Sequence, residues 1–108
     1  MDITLNQGYP DFVGQRAIFC GSAPGPSSYT TGGETLNVAL YNFYIDCVDS
    51  SGAISVSGTY WGRAIPSATG ARATWKWKIY AVGSFTEVSA ATNLSAEKFV
   101  ISGKGGLY

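Results

Sequence analysis

The feature that most constrains this chain is strict alternation of apolar and polar residues in short runs closed by turn residues, a period that fits strands and not helices. Its clearest instance sets Tyr41, Phe43, Ile45 and Cys47 on one face and Asn42, Tyr44 and Asp46 on the other. This reads as a half-buried strand. After the turn-rich Asp49-Ser50-Ser51-Gly52, Ile54, Val56 and Tyr60 alternate with Ser55, Ser57 and Thr59, which predicts a hairpin joining the two runs. A third run places Trp75, Trp77, Ile79 and Ala81 against Arg72, Thr74, Lys76, Lys78 and Tyr80, and ends at Gly83-Ser84.

Shorter runs at Arg16 to Cys20, Thr35 to Val38, Phe85 to Val88 and Glu97 to Ile101 complete the series. The expected fold is all-β: a single-domain antiparallel β-sandwich or barrel, jelly-roll-like, with about seven to eight short strands. Ser89 to Phe99 is the one stretch open to a helical turn, and it reads better as a loop anchored by Leu94. At 108 residues the chain fits one domain spanning 1–108. Met1 to Asp11 precedes the first expected strand and is a candidate extended arm. Two connections exceed a hairpin turn, Ser22 to Glu34 and Trp61 to Gly70, and connections of that length in a compact domain are usually functional or disordered.

The chain has no His, which removes the commonest general base, the Ser-His-Asp arrangement and every His-containing metal site. Ser95-Ala96-Glu97-Lys98 matches S-x-x-K, but on a strand Ser95 and Lys98 would point to opposite faces. Asp46 and Asp49 could form a carboxylate pair for acid/base work or Ca²⁺, but the turn Asp49-Ser50-Ser51-Gly52 accounts for Asp49 without any ligand, and no glycine segment has a phosphate-cradling pattern. The expectation is a protein that is not an enzyme and uses no cofactor or metal. The N-terminus lacks a basic segment followed by an apolar one, and no apolar run nears the ~20 residues of a membrane span, so a cytosolic origin without membrane contact is expected. In that compartment Cys20 and Cys47 read as free, buried thiols.

Charged residues are only 13% of the chain and sum to zero, yet they are segregated. Met1 to Asp49 carries five acids and one base, whereas Ser50 to Thr86 carries Arg63, Arg72, Lys76 and Lys78 and no acid. Four charges on a neutral domain make a weak nucleic-acid footprint, so a protein partner or a second copy suits them better. A closed homo-oligomer, trimer before dimer, is expected on that ground. Trp75 and Trp77 share a face with Ile79 and read as core, while Trp61, beside Gly62 at the start of a long connection, is the candidate exposed contact.

The segment Ser27-Ser28-Tyr29-Thr30-Thr31-Gly32-Gly33-Glu34-Thr35-Leu36 resembles a pattern common in small virion proteins of tailed bacteriophages. Trp75-Lys76-Trp77-Lys78-Ile79-Tyr80, Thr86-Glu87-Val88 and Ala91-Thr92-Asn93-Leu94-Ser95 are similar in order and spacing to the C-terminal half of those proteins. The resemblance implies a β-rich head decoration (cement) protein, located on the capsid surface of the virion and made in the host bacterial cytoplasm, with the major capsid protein as partner. The expected contact residues are Tyr29, Thr30, Thr31, Gly32, Gly33, Glu34, Trp61, Arg63, Arg72, Lys76 and Lys78. Two other classes remain open: a carbohydrate-binding or host-adhesion module built on Trp61 and its aromatic neighbours, and a tail or neck connector.

Overall fold

The computed structural model describes residues 1–14, 16–50, 52–67 and 74–107, and Arg72, one of the expected contacts, lies outside them. The described chain is all-β, as the alternation predicts. Nine strands follow in order: β1 Asp2–Leu5, β2 Asp11–Val13, β3 Arg16–Pro24, β4 Glu34–Thr35, β5 Asn37–Val38, β6 Phe43–Val48, β7 Tyr60–Pro66, β8 Trp75–Ala81 and β9 Lys98–Leu107. The larger sheet runs β5-β1-β3-β9-β6, with β2 also on β3, and curls into a half-barrel. The smaller sheet runs β4-β8-β7. The count exceeds expectation because β2, β4 and β5 are only two or three residues long.

The two sheets close on one core of Ile3, Phe19, Tyr29, Val38, Ile45, Trp77, Ile79, Leu94, Phe99 and Ile101, among others. Register explains the inner face of the larger sheet. Ala17, Phe19, Gly21 and Ala23 of β3 stand opposite Gly105, Gly103, Ile101 and Phe99 of β9, and residues directly opposite share a face. Gly103 and Gly105 leave room on that face for Phe19 and Phe43, whose rings meet edge to face at 5.5 Å. On the other side the chain passes from one sheet to the other between β4 and β5, and the Trp75 indole donates to the Ile45 carbonyl at 2.9 Å, tying β6 to the smaller sheet.

Four sequence expectations are corrected. The candidate arm is part of the sheet: β1 pairs antiparallel with β3 and parallel with β5, and Ile3 and Leu5 are buried. The long excursion through β2, β3 and β4 supplies the crossover that a parallel pair needs. The first two alternating runs do not form a hairpin, because β6 pairs with β9. The run after Gly52 instead folds on itself, with Ser55 N–H bonded to the Tyr60 carbonyl and Ile54 bridged to Trp61, so Ile54 and Val56 face solvent.

The thiols are both free, but Cys20 is exposed and Cys47 half-buried. On β3 the odd-numbered residues point inward, which turns Cys20 outward. On β6 the register shifts between Ile45 and Cys47, leaving Asp46 as a bulge residue; beyond it Val48, not Cys47, packs on the core. Asp46 then meets Arg16 at 2.8 Å. Finally, most of the expected connection Trp61 to Gly70 is strand: residues 61–66 belong to β7.

Candidate functional site

Apart from Arg72, the expected contacts come from two stretches, Tyr29 to Glu34 and Trp61 to Lys78, and the fold brings them together. The connection after β3 is Gly25 to Gly33, and it zips backbone to backbone onto the loop that precedes β9. Gly25 N–H bonds Glu97 O, Tyr29 N–H bonds Thr92 O, Ala91 N–H bonds Tyr29 O and Leu94 N–H bonds Pro26 O, at 2.8–3.0 Å. Leu94 is buried beneath, as its role as loop anchor predicts. At Gly25 an added Cβ would lie 2.3 Å from the Leu94 carbonyl, so the two loops approach as closely as they do because a side chain is missing.

Tyr29 is not a surface contact. It is 2% exposed, its hydroxyl donates to Glu87 Oε2 and accepts the Ile79 N–H at 3.2 Å. Glu87 also takes the Gly32 N–H at 2.7 Å on Oε2 and lies 3.9 Å from the Lys78 ammonium through Oε1. Glu87 and Val88 run beside β8, with Glu87 bridged to Tyr80 and Val88 N–H bonded to Ile79 O. One carboxylate therefore fastens the loop tip to the basic strand. The zero charge sum hides this role, although Glu87 is the only acid between Asp49 and Glu97, across the stretch that holds the four cations.

Around this joint the exposed residues are Thr30, Thr31 and Gly32. Glu34 is half-buried and accepts the Thr30 N–H at 2.8 Å, closing the loop on itself. Gly32 and Gly33 both have positive φ, 96° and 106°, as paired glycines at a tight turn allow. Their roles differ: Gly32 opens onto solvent, whereas a Cβ on Gly33 would lie 2.9 Å from Trp77 O and 3.1 Å from Lys78 Cγ. The close approach at Gly33 is to the protein's own strand. Substituting Gly33 is therefore expected to strain the fold itself, whereas Gly32 has open space around it.

The β7–β8 register places Arg63 opposite Lys78, Ile65 opposite Lys76 and Trp61 opposite Tyr80, all on the outer face of the smaller sheet. Arg63 and Lys76 are exposed, and Lys78 is half-buried beside Glu87. Trp61 is half-buried, a correction to its expected exposure: it stacks on Tyr80 at 4.5 Å and its indole donates to Ser84 O at 3.0 Å. That stacking covers Tyr80 on a face that the alternation left to solvent. Phe85 meets Trp61 edge to face at 5.9 Å and is itself 90% exposed. The assembled surface is a braced loop beside a strip of cations, with an exposed phenyl ring at the far end.

Burial, and then the adjoining Glu87 carboxylate, push the Tyr29 phenol well above the ordinary tyrosine range, so it serves as a proton donor. An acid raised on folding favours the folded state below its unfolded value, and loses that contribution as pH climbs above about 10. Tyr29→Phe removes the bond to a charged acceptor and is expected to cost about 2 kcal/mol at neutral pH. The wild type should then lose stability toward the variant as pH rises above about 10. Urea midpoints of both proteins across that range test it, and a constant difference refutes it.

Among the described residues no three His, Cys, Asp or Glu side chains gather as a metal site would require. No family model, curated protein or solved structure matches this chain.

Proposed function

We propose that the protein is a virion structural protein, a head decoration (cement) subunit that binds and stabilises the assembled capsid of a tailed bacteriophage through the loop and strand surface joined at Glu87. The resemblance of Ser27 to Leu36 and of the C-terminal half to small virion proteins suggests the setting. The observation that carries the reading is the bracing of the exposed loop tip against Lys78 by Glu87 and Tyr29. A contact surface held in place by the fold loses little conformational freedom when it docks, which favours tight binding from a small area. The major capsid protein is the partner.

Because a capsid repeats one site many times, a modest stabilisation per copy accumulates across the shell. Virions lacking this chain should release DNA at a lower temperature than complete ones, and adding the purified protein back should restore the difference. Identical release curves, with the chain found on the tail or absent from the particle, would overturn the proposal. Binding of the isolated protein to a glycan array in place of heads would favour the adhesion module.

A further inference from the structure

We infer that the outer face of β7–β8 docks an acidic, extended protein segment that carries one apolar residue, with Arg63 and Lys76 pairing its carboxylates and Phe85 with Val82 seating the apolar side chain. This rests on the reading of that face as a docking surface and specifies its partner. Three observations converge. Arg63 and Lys78 stand directly opposite each other, and like charges in that register repel; Glu87 relieves Lys78 alone. Among the described residues, Arg63 and Lys76 have no ion-pair partner. At the end of the same strip Phe85 is 90% and Val82 48% exposed. The free protein thus holds a mutually repelling pair beside an uncovered phenyl ring, both of which a segment of matching chemistry would relieve.

A second copy of this chain is poorly suited to supply the carboxylates. Five of its seven acids already hold partners: Asp11 accepts from Gln7, Glu34 from the Thr30 N–H, Asp46 from Arg16, Glu87 from Tyr29 and Gly32, and Glu97 from Ser55 and Ser57. Among the described residues that leaves Asp2, and Asp49 with only the Cys47 thiol at 3.9 Å. Nucleic acid fits less well too, because the neutral chain offers few cations for phosphates and Trp61 is already stacked on Tyr80, its N–H engaged by Ser84.

The test titrates the full-length protein with a synthetic peptide of alternating Glu and Ser around a central Leu. Its comparators are the peptide's Gln isostere and a single-stranded DNA oligomer of equal charge. The Glu peptide should bind at low salt and lose most of its affinity in 1 M salt, where screening extends over only about 3 Å. The double variant Arg63→Glu, Lys76→Glu alters two exposed side chains and should keep the native circular dichroism spectrum while weakening the Glu peptide by about tenfold or more. Phe85→Ala should weaken it about fivefold, and leave unchanged a peptide whose central Leu is Ser.

Equal binding of the Glu and Gln peptides, tighter binding of the DNA oligomer, or a self-association abolished by the double variant would each overturn the inference. Should the chain sit on heads while the Glu peptide shows no preference, this inference falls and the decoration reading stands. Should the peptide bind as expected while the chain is absent from heads, the reverse holds.

Discussion

Trp77→Ala is expected to cost about 4 kcal/mol, a large share of the ~5–15 kcal/mol that holds a domain folded. Trp77 is fully buried at the meeting of the two sheets, where its ring packs edge to face on Phe99 at 5.7 Å. The indole also lies over the backbone of Gly62 on the neighbouring strand, where an added Cβ would fall 2.0 Å from Nε1. Gly62→Ala should therefore be severe in the wild type and close to neutral once Trp77 is Ala, a coupling of about 2 kcal/mol. Trp77 Nε1 has no hydrogen-bond partner, the one such buried side-chain atom among the described residues. Trp77→Phe removes that stranded donor and keeps most of the volume, and should cost at most about 1.5 kcal/mol. Urea midpoints at constant slope measure the wild type and the four variants, and additive effects of Gly62→Ala and Trp77→Ala would show that the glycine is not there for the ring.

Gly105→Ala should cost about 3 kcal/mol through a different mechanism. Its Cβ would lie 1.8 Å from the carbonyl oxygen of Tyr44 and 2.8 Å from the Phe43 ring. The first of these is main chain in the partner strand, so it cannot rotate away; the β6–β9 ladder must open. Hydrogen exchange should show lost protection along Phe43 to Val48 before the rest of the sheet. Lys104→Ala, exposed on the same strand, is the control and should fall within about 0.5 kcal/mol of wild type. Equal stability of the Gly105 and Lys104 variants would contradict the close approach.

Both predictions rest on features that composition presents only as abundance. Fourteen glycines read as turns and flexibility, and several are: Gly32, Gly52 and Gly58 have positive φ and open surroundings. Gly62, Gly103 and Gly105 instead lie within strands, where they admit an indole, a phenyl ring or a carbonyl of the adjacent strand. No local pattern separates the two uses, because what fills the space comes from distant parts of the chain. The Lys104-Gly105-Gly106 stretch belongs, for that reason, to the longest strand of the sheet.

By itself the sequence determined what depends on the chain's own period and on single-residue chemistry. Alternation set the all-β class and the inward side of Trp77 and Ile79, Leu94 marked the loop anchor, and the Gly32-Gly33 pair marked a turn needing positive φ. These are local properties, decided by how far apart side chains fall on one strand and which dihedrals a residue allows. Tertiary structure decided the rest. It chose β9 over the following run as the partner of β6, drew residues 2–5 into the sheet, and inserted the bulge that exchanged Cys47 for Val48 on the core. It also turned Tyr29 inward and fastened the loop tip to Lys78 through Glu87. Each of these is a choice between surfaces remote in sequence, settled by which pairing buries the most apolar area while leaving the fewest buried polar groups unanswered, and a two-residue period carries no information about that choice.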